Sequence, residues 1–261
     1  MDEMIATYRI FAGVLGLLIG SFLNVVIHRL PLKKDLVTAR SACPHCGYQI
    51  PWWLNIPVLA WVGLRGKCHN CQKFIHWRYP IVELFMGIVF YVSFPDKLDN
   101  VTIFQWVFQC TFTAILVCHF FIDLDHRLLL DKLNLYLLLL VFPFSAVFNT
   151  PVFWIFGALI GFGAPYGVSW LFYKIKGKIG LGGGDIKLWG VLGIFLGPYG
   201  IIDNIFLSCL LGSFVGVFMI ILKRYDRETG LPFGPFIIVT ALIQLYFSWL
   251  PERIGLSLFS Y

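Results

Sequence analysis

Charge is scarce in this chain. Only 13% of its 261 residues are Asp, Glu, Lys or Arg, about half the share usual in a soluble domain, so an ordinary water-soluble globule is excluded. Several chemical signatures are also missing. There is no His-Glu-x-x-His of a zinc protease and no Gly-x-Ser-x-Gly of a serine hydrolase. No glycine-rich cofactor fingerprint, internal repeat or low-complexity segment stands out. The first apolar run has neither a positive segment before it nor a small-residue cleavage site after it, so it reads as a retained helix and not a signal peptide.

What fills the chain instead is apolar sequence, 59% hydrophobic and 18% aromatic. A membrane-spanning helix needs about 20 residues of low polarity. Ile10 to Ile27, Pro80 to Pro95 and Val101 to Ile122 supply three. The charge-free stretch Leu133 to Tyr173 supplies two more, divided at Asn149-Thr150-Pro151. Leu188 to Ile202, Asn204 to Leu222 and Pro232 to Leu250 bring the expected total to eight. The sequence therefore predicts an all-α polytopic membrane protein in a lipid bilayer, a single integral membrane domain over 1–261. Its one small module outside the bilayer is the 28–79 insertion between the first two helices.

Basic residues orient it. Cytoplasmic loops are enriched in Lys and Arg, and 17 of the 20 here fall in the first, third, fifth and seventh connections. Only Arg9, Lys97 and Arg253 fall opposite. The odd connections are then cytoplasmic, and both termini are not. This pattern accounts for the net charge of +6, so no nucleic-acid partner is expected. Oligomeric state is not legible.

The 28–79 loop holds Cys43-Pro-His-Cys46 and Cys68-His-Asn-Cys71, two C-x₂-C pairs with 21 residues between them. That spacing suits four thiolates around one Zn²⁺ or, alternatively, two disulfides. A cytoplasmic loop is kept reduced, which selects zinc, in a structural site because four sulfurs leave no open position. His45 and His69 are the substitutes if a Cys is not a ligand. Cys110, Cys118 and Cys209 read as small hydrophobes in apolar spans. Trp52, Trp53, Trp61 and Trp77 read as interfacial anchors.

Two acidic residues stand apart. Asp123 ends a charge-free span, and Asp185 opens another behind Gly182-Gly183-Gly184. Ionisable groups at membrane depth are costly and are candidates for function. Two carboxylates sharing a site hold one proton between them. Such a pair hydrolyses peptides: one draws a proton from water, and the other hydrogen-bonds the developing oxyanion. The glycines allow a sharp turn and close approach of an extended substrate. Asp125 lies about 200° around the helix from Asp123 and reads, with Asp131, as a solvated helix end. His119, four residues before Asp123, reads as a hydrogen-bond partner. Lys187 either orients substrate or snorkels to the interface. The alternatives from other classes are a transporter, whose carboxylates usually lie near the midplane, and a non-catalytic zinc-loop scaffold.

The ordered set Gly20-Ser21-Phe22-Leu23-Asn24 through His28-Arg29-Leu30-Pro31, the cysteine knuckles, Arg78-Tyr79-Pro80-Ile81-Val82-Glu83, Ile122-Asp123-Leu124-Asp125, Gly182-Gly183-Gly184-Asp185-Ile186-Lys187 and Pro232-Phe233-Gly234-Pro235 resembles the bacterial prepilin peptidases. These type IV leader peptidases are membrane aspartic proteases of the GxGD class. The resemblance implies cleavage of type IV prepilins and type II secretion pseudopilins at the cytoplasmic face of the bacterial inner membrane. It also implies N-methylation of the new terminus from S-adenosylmethionine. It places the catalytic acids on Asp123 and Asp185, with Gly182, Gly184, Lys187 and Glu83 as substrate or site support. The cysteine loop falls on Cys43, Cys46, Cys68 and Cys71, which the resemblance links to the methylating members. Leu129-Leu130-Asp131 departs from the family's Leu-Pro-Asp, which puts the backbone after Asp123 in question.

Overall fold

Lipid supplies no hydrogen-bond partners, so apolar chain is driven into helices that satisfy their own backbone. The computed structural model describes residues 2–36, 40–178, 180–222 and 231–247 and is helical outside the 30–77 loop and the short connections. The helices are α1 (Asp2–Arg29), α2 (Leu59–Gly63), α3 (Arg78–Val92), α4 (Asn100–His126), α5 (Asp131–Phe148), α6 (Pro151–Lys176), α7 (Gly183–Ile221) and α8 (Gly234–Tyr246). Strand pairing among the described residues is confined to two isolated bridges, Ala42–Gln49 and Lys67–Phe74. Five helices, α1 and α4 to α7, are long and apolar enough to cross a membrane. The shorter α3 and α8 are apolar too. Phe11, Val147, Val168 and Phe214 lie exposed on their helices, as lipid-facing side chains do. Lys223, Arg224, Arg227, Arg253 and the end of the eighth expected span lie outside the described residues.

Two compact units divide the chain, Met1–Cys118 and His119–Tyr261. In the first, α1 packs on α3 through the small face Gly13, Gly16 and Gly20, which lies against Tyr91, Phe90 and Glu83. Small residues let membrane helices approach closely and gain dispersion contacts where no hydrophobic effect operates. The Asn24 side-chain amide donates to the Tyr79 carbonyl at 3.1 Å and fixes the start of α3 beside α1.

In the second unit the closest approach is between α6 and α7. A methyl group at Gly157 would overlap the carbonyl oxygen of Gly193, and one at Gly193 would overlap that of Gly157. The two backbones are in direct contact.

The α7 stretch corrects the sequence reading, which divides it at Asp203. Asp203 is buried inside the helix, and the break falls at Gly197, with φ 70° and ψ −176°, just before Pro198. Gly-Pro is the true turn signal, because only glycine takes that positive φ without strain. The break is a reversal. The Trp189 indole donates to Asn204 Oδ1 at 3.0 Å, yet in one straight helix these residues would stand about 22 Å apart. The legs 183–196 and 198–221 therefore fold back on each other. Asn204 also donates to Gln244 Oε1 at 2.9 Å, and Gln244 donates to the Gly200 carbonyl at 2.8 Å, so polar groups tie the second leg to α8 and, through Trp189, to the first.

The backbone contact makes a measurable demand. Gly157→Val should lower stability by about 1–3 kcal/mol through overpacking, whereas Gly163→Val on the same helix meets open space and should be tolerated. Thermal unfolding of both variants in detergent checks this, and equal melting temperatures would contradict the α6–α7 contact.

Candidate active site and metal centre

Asp123 occupies the last turn of α4, and Asp185 the first turn of α7. Asp123 is 5% exposed and Asp185 is half-buried. They are near enough for their charges to act on each other. Each is also engaged by a glycine backbone. The Gly234 amide, at the start of α8, approaches Asp123, and the Gly182 amide approaches Asp185. A Cβ on Gly234 would come 2.7 Å from Asp123 Oδ2, and one on Gly182 would come 2.7 Å from Asp185 Oδ2. Both glycines are thus needed for space, since neither takes a positive φ. Asp123 Oδ2 has no hydrogen-bond partner among the described residues. One oxygen of this buried acid is therefore left unpaired beside Gly234.

The short α4–α5 connection closes this arrangement. Leu129 is buried and wedged between Gly184 and Gly234, where Cβ atoms would meet it at 2.8 and 3.2 Å. Leu130 has φ −75° and ψ 126°, a conformation proline itself adopts. The departure from Leu-Pro-Asp therefore leaves the backbone path in place.

Other expected residues fall differently. Asp125 is exposed, as a solvated helix end should be. Lys187 neither snorkels alone nor stands free: its Nζ pairs with Asp131 Oδ1 at 2.7 Å, both exposed, a contact worth about 0–1 kcal/mol. His119 is fully buried, but neither ring nitrogen has a hydrogen-bond partner among the described residues. The Leu133 backbone approaches the ring without reaching hydrogen-bond geometry, so the expected partnership is not formed. Cys110 and Cys118 are buried, whereas Cys209 is exposed. Leu129 and Gly234 escape prediction as site residues. Gly234 lies in the quoted Pro-Phe-Gly-Pro segment, and that glycine between prolines was the available signal.

Glu83 belongs to the first unit. Its Oε2 accepts the Val58 amide at 2.7 Å, and Ser21 of α1 lies beside it. Val58 has φ 60° and ψ −50°, rare and strained for a β-branched residue. The Leu59 amide closes a three-residue turn onto the Pro57 carbonyl at 2.6 Å. Glu83 thus holds a strained turn of the cysteine loop against α1 and α3.

The four cysteines converge. Cys43, Cys46, Cys68 and Cys71 place all their sulfurs within 4.8 Å of one another, with Cys43 and Cys71 at 3.9 Å. Sulfurs tetrahedral about zinc stand about 3.8 Å apart, so the set fits one ion. The four sulfurs converge on a single point, as one shared ion requires and two separate disulfides would not. Two matching knuckles build the site. The Gly47 amide donates to the Cys43 carbonyl and the Cys43 amide to Tyr48, while Gln72 donates to Cys68 and Cys68 to Lys73. Gly47 and Gln72 both turn with positive φ. The Tyr48 amide draws Cys46 down to about 7, and the Cys71 amide lowers Cys68. Against the pull of the Lys73 amide, desolvation and the neighbouring sulfurs push Cys71 up to about 11. Thiols this close cannot all ionise without a cation between them. His69 stacks on Tyr48, and the Trp61 indole donates to the Ile75 carbonyl at 3.1 Å. Trp61 therefore packs the knuckle, while Trp52, Trp53 and Trp77 are exposed.

Comparison with known proteins agrees with this architecture. Residues 14–96 match the bacterial peptidase A24 N-terminal domain, and residues 110–217 match the type IV leader peptidase family. A prepilin leader peptidase/N-methyltransferase of Stutzerimonas stutzeri is 35% identical, over 90% of this chain and 89% of its own. Relatives of the same name from Aeromonas hydrophila and Pseudomonas aeruginosa are also 35% identical, over 88% and 89% of this chain and 87% and 88% of theirs. No solved structure matches significantly. Motifs spread over both units and near-full-length similarity lead to one conclusion: this chain belongs to the type IV leader peptidase family.

Proposed function

We propose that the chain is a prepilin leader peptidase with N-methyltransferase activity. It cleaves the leader from type IV prepilins and type II secretion pseudopilins and methylates the new terminus from S-adenosylmethionine. The observation that carries the peptidase reading is the mutual approach of Asp123 and Asp185, each against a glycine backbone. In hydrolysis one carboxylate takes a proton from water as the water attacks the scissile carbonyl. The other, protonated, hydrogen-bonds the oxygen as it gains charge. The proton then passes to the departing amine. Gly182 and Gly184 support the site by close packing, the one leaving space for the Asp185 carboxylate and the other for Leu129. A transporter or an inert scaffold needs no such pair at helix ends.

The positive-inside pattern supports eight crossings of the bacterial inner membrane, with the acid pair at its cytoplasmic face. A basic leader then stays in the cytoplasm while the apolar substrate segment lies in lipid. The family names support the methyl transfer; no residue of this chain is assigned to it. Cys43, Cys46, Cys68 and Cys71 would hold zinc, which supplies a structural cross-link to a loop with little core of its own.

Asp123→Asn and Asp185→Asn should each lower the cleavage rate by at least about 100-fold, with little change in melting temperature. Timed processing of a purified prepilin measures this, and normal processing by either variant defeats the assignment. Metal analysis should find about one zinc per chain, lost together with protease resistance of the 40–78 loop in Cys43→Ser/Cys71→Ser. A metal-free protein with an intact loop argues against the site. Mass spectrometry of the processed amino terminus should show one added methyl group only with S-adenosylmethionine present.

A further inference from the structure

Glu83 fixes the height of the cysteine loop against the membrane helices. It lies five residues inside α3 from Arg78, about 8 Å along the helix axis. On α1 it meets Gly20, where a Cβ would come 2.7 Å from the Glu83 Cα. Gly20 is seven residues before Ile27, the loop-side end of the charge-free run of α1, which is about 10 Å. The Val58 amide donates to Glu83 Oε2 at 2.7 Å. Both helices therefore put the Val58 turn about 8–10 Å below the level of Arg78 and Ile27.

The chain around Val58 suits that depth. The 3₁₀ turn Trp52–Asn55 and α2 flank it. Trp52, Trp53, Ile56, Leu59 and Val62 are uncovered, with Trp52 77% and Leu59 70% exposed. Lipid demands that backbone groups be satisfied by protein. The Leu54, Leu59, Ala60 and Val62 amides all bond carbonyls of the same segment, and the Val58 amide is taken by Glu83. Pro51 and Pro57 have no amide hydrogen to satisfy. Charge fits as well. Residues 40–78 carry Arg40, Arg65, Lys67, Lys73 and Arg78 and no Asp or Glu, and the exposed Arg65 and Lys67 lie just after α2.

We infer that residues 51–63 are a re-entrant segment seated at the boundary of headgroups and acyl chains in an anionic bilayer. Trp52, Trp53, Leu59 and Val62 enter lipid, and Arg65 and Lys67 meet the phosphates. Interfacial helices sink their apolar face about 5–10 Å, which matches the depth set by Glu83. Tryptophan is favoured at that level because its ring is apolar and its N–H polar. The loop is then not wholly outside the bilayer. Its cysteine knuckles, before and after the segment, are tethered above the surface by a lipid anchor between them. The packing of α1, α3 and the loop carries this, independently of the acid pair.

Full-length protein in nanodiscs of equal parts phosphatidylglycerol and phosphatidylcholine provides the test. A carbene-generating residue at Trp53 or Leu59, both exposed, should form acyl-chain adducts as readily as one at Phe11, which is exposed on α1. Mass spectrometry should find these adducts at least about tenfold more often than with the same residue at His45, exposed in the first knuckle. Acyl-chain labelling at Trp53 and Leu59 no higher than at His45 overturns the inference. The Trp53 adducts should also favour phosphatidylglycerol over its share of the lipid, and Arg65→Gln/Lys67→Gln should abolish that preference. Adducts at Phe11 should follow the lipid composition. A Trp53 preference that is absent, or that survives the double substitution, rejects the phosphate contact of Arg65 and Lys67.

Discussion

A peptide group in lipid must find its hydrogen-bond partner within the protein, and this constraint organises the whole molecule. It makes the chain helical, and it denies the helices a hydrophobic force to hold them together. Close packing then falls to small residues. Gly157 and Gly193 bring α6 onto α7 with their backbones touching, and Gly13, Gly16 and Gly20 do the same for α1 and α3. Where side chains of α7 and α8 need polar partners, Trp189, Asn204 and Gln244 supply them to one another.

The same constraint explains why the acid pair is built as it is. Asp123 and Asp185 are placed where helices end, so that backbone amides freed from helical bonding are available to serve them. Glycine at 182 and 234 lets those amides approach, and glycine at 184 admits Leu129, which locks the α4–α5 connection against α7 and α8. Extended backbone is tolerated at membrane depth only in such a protein-lined gap among helix ends.

The cysteine loop meets a different problem. It has too little apolar surface to fold on its own burial, and it is stabilised from two directions. The convergent sulfurs fit one metal ion, while Glu83 reaches from α3 to hold the strained Val58 turn. Glu83 is thus explained within its own unit by the loop it pins.

Much of this was legible in the linear chain. Helical class, the placement of most spans, the division at Asn149-Thr150-Pro151 and the candidate acids follow from hydrophobic length, charge placement and turn residues, which are local properties. The cysteine spacing likewise announced a shared ligand set. What the chain could not reveal by itself depends on contacts between distant residues. Asp203 looked like a boundary because it is charged, yet it is buried, and the reversal lies at Gly197. Lys187 found Asp131, His119 found no hydrogen bond among the described residues, and Leu129 and Gly234 acquired meaning only from their neighbours. Periodicity and charge determine which segments become helices because those preferences act along one chain. Which side chains meet at helix ends is decided only by how the helices pack, since that depends on shape complementarity between surfaces far apart in sequence.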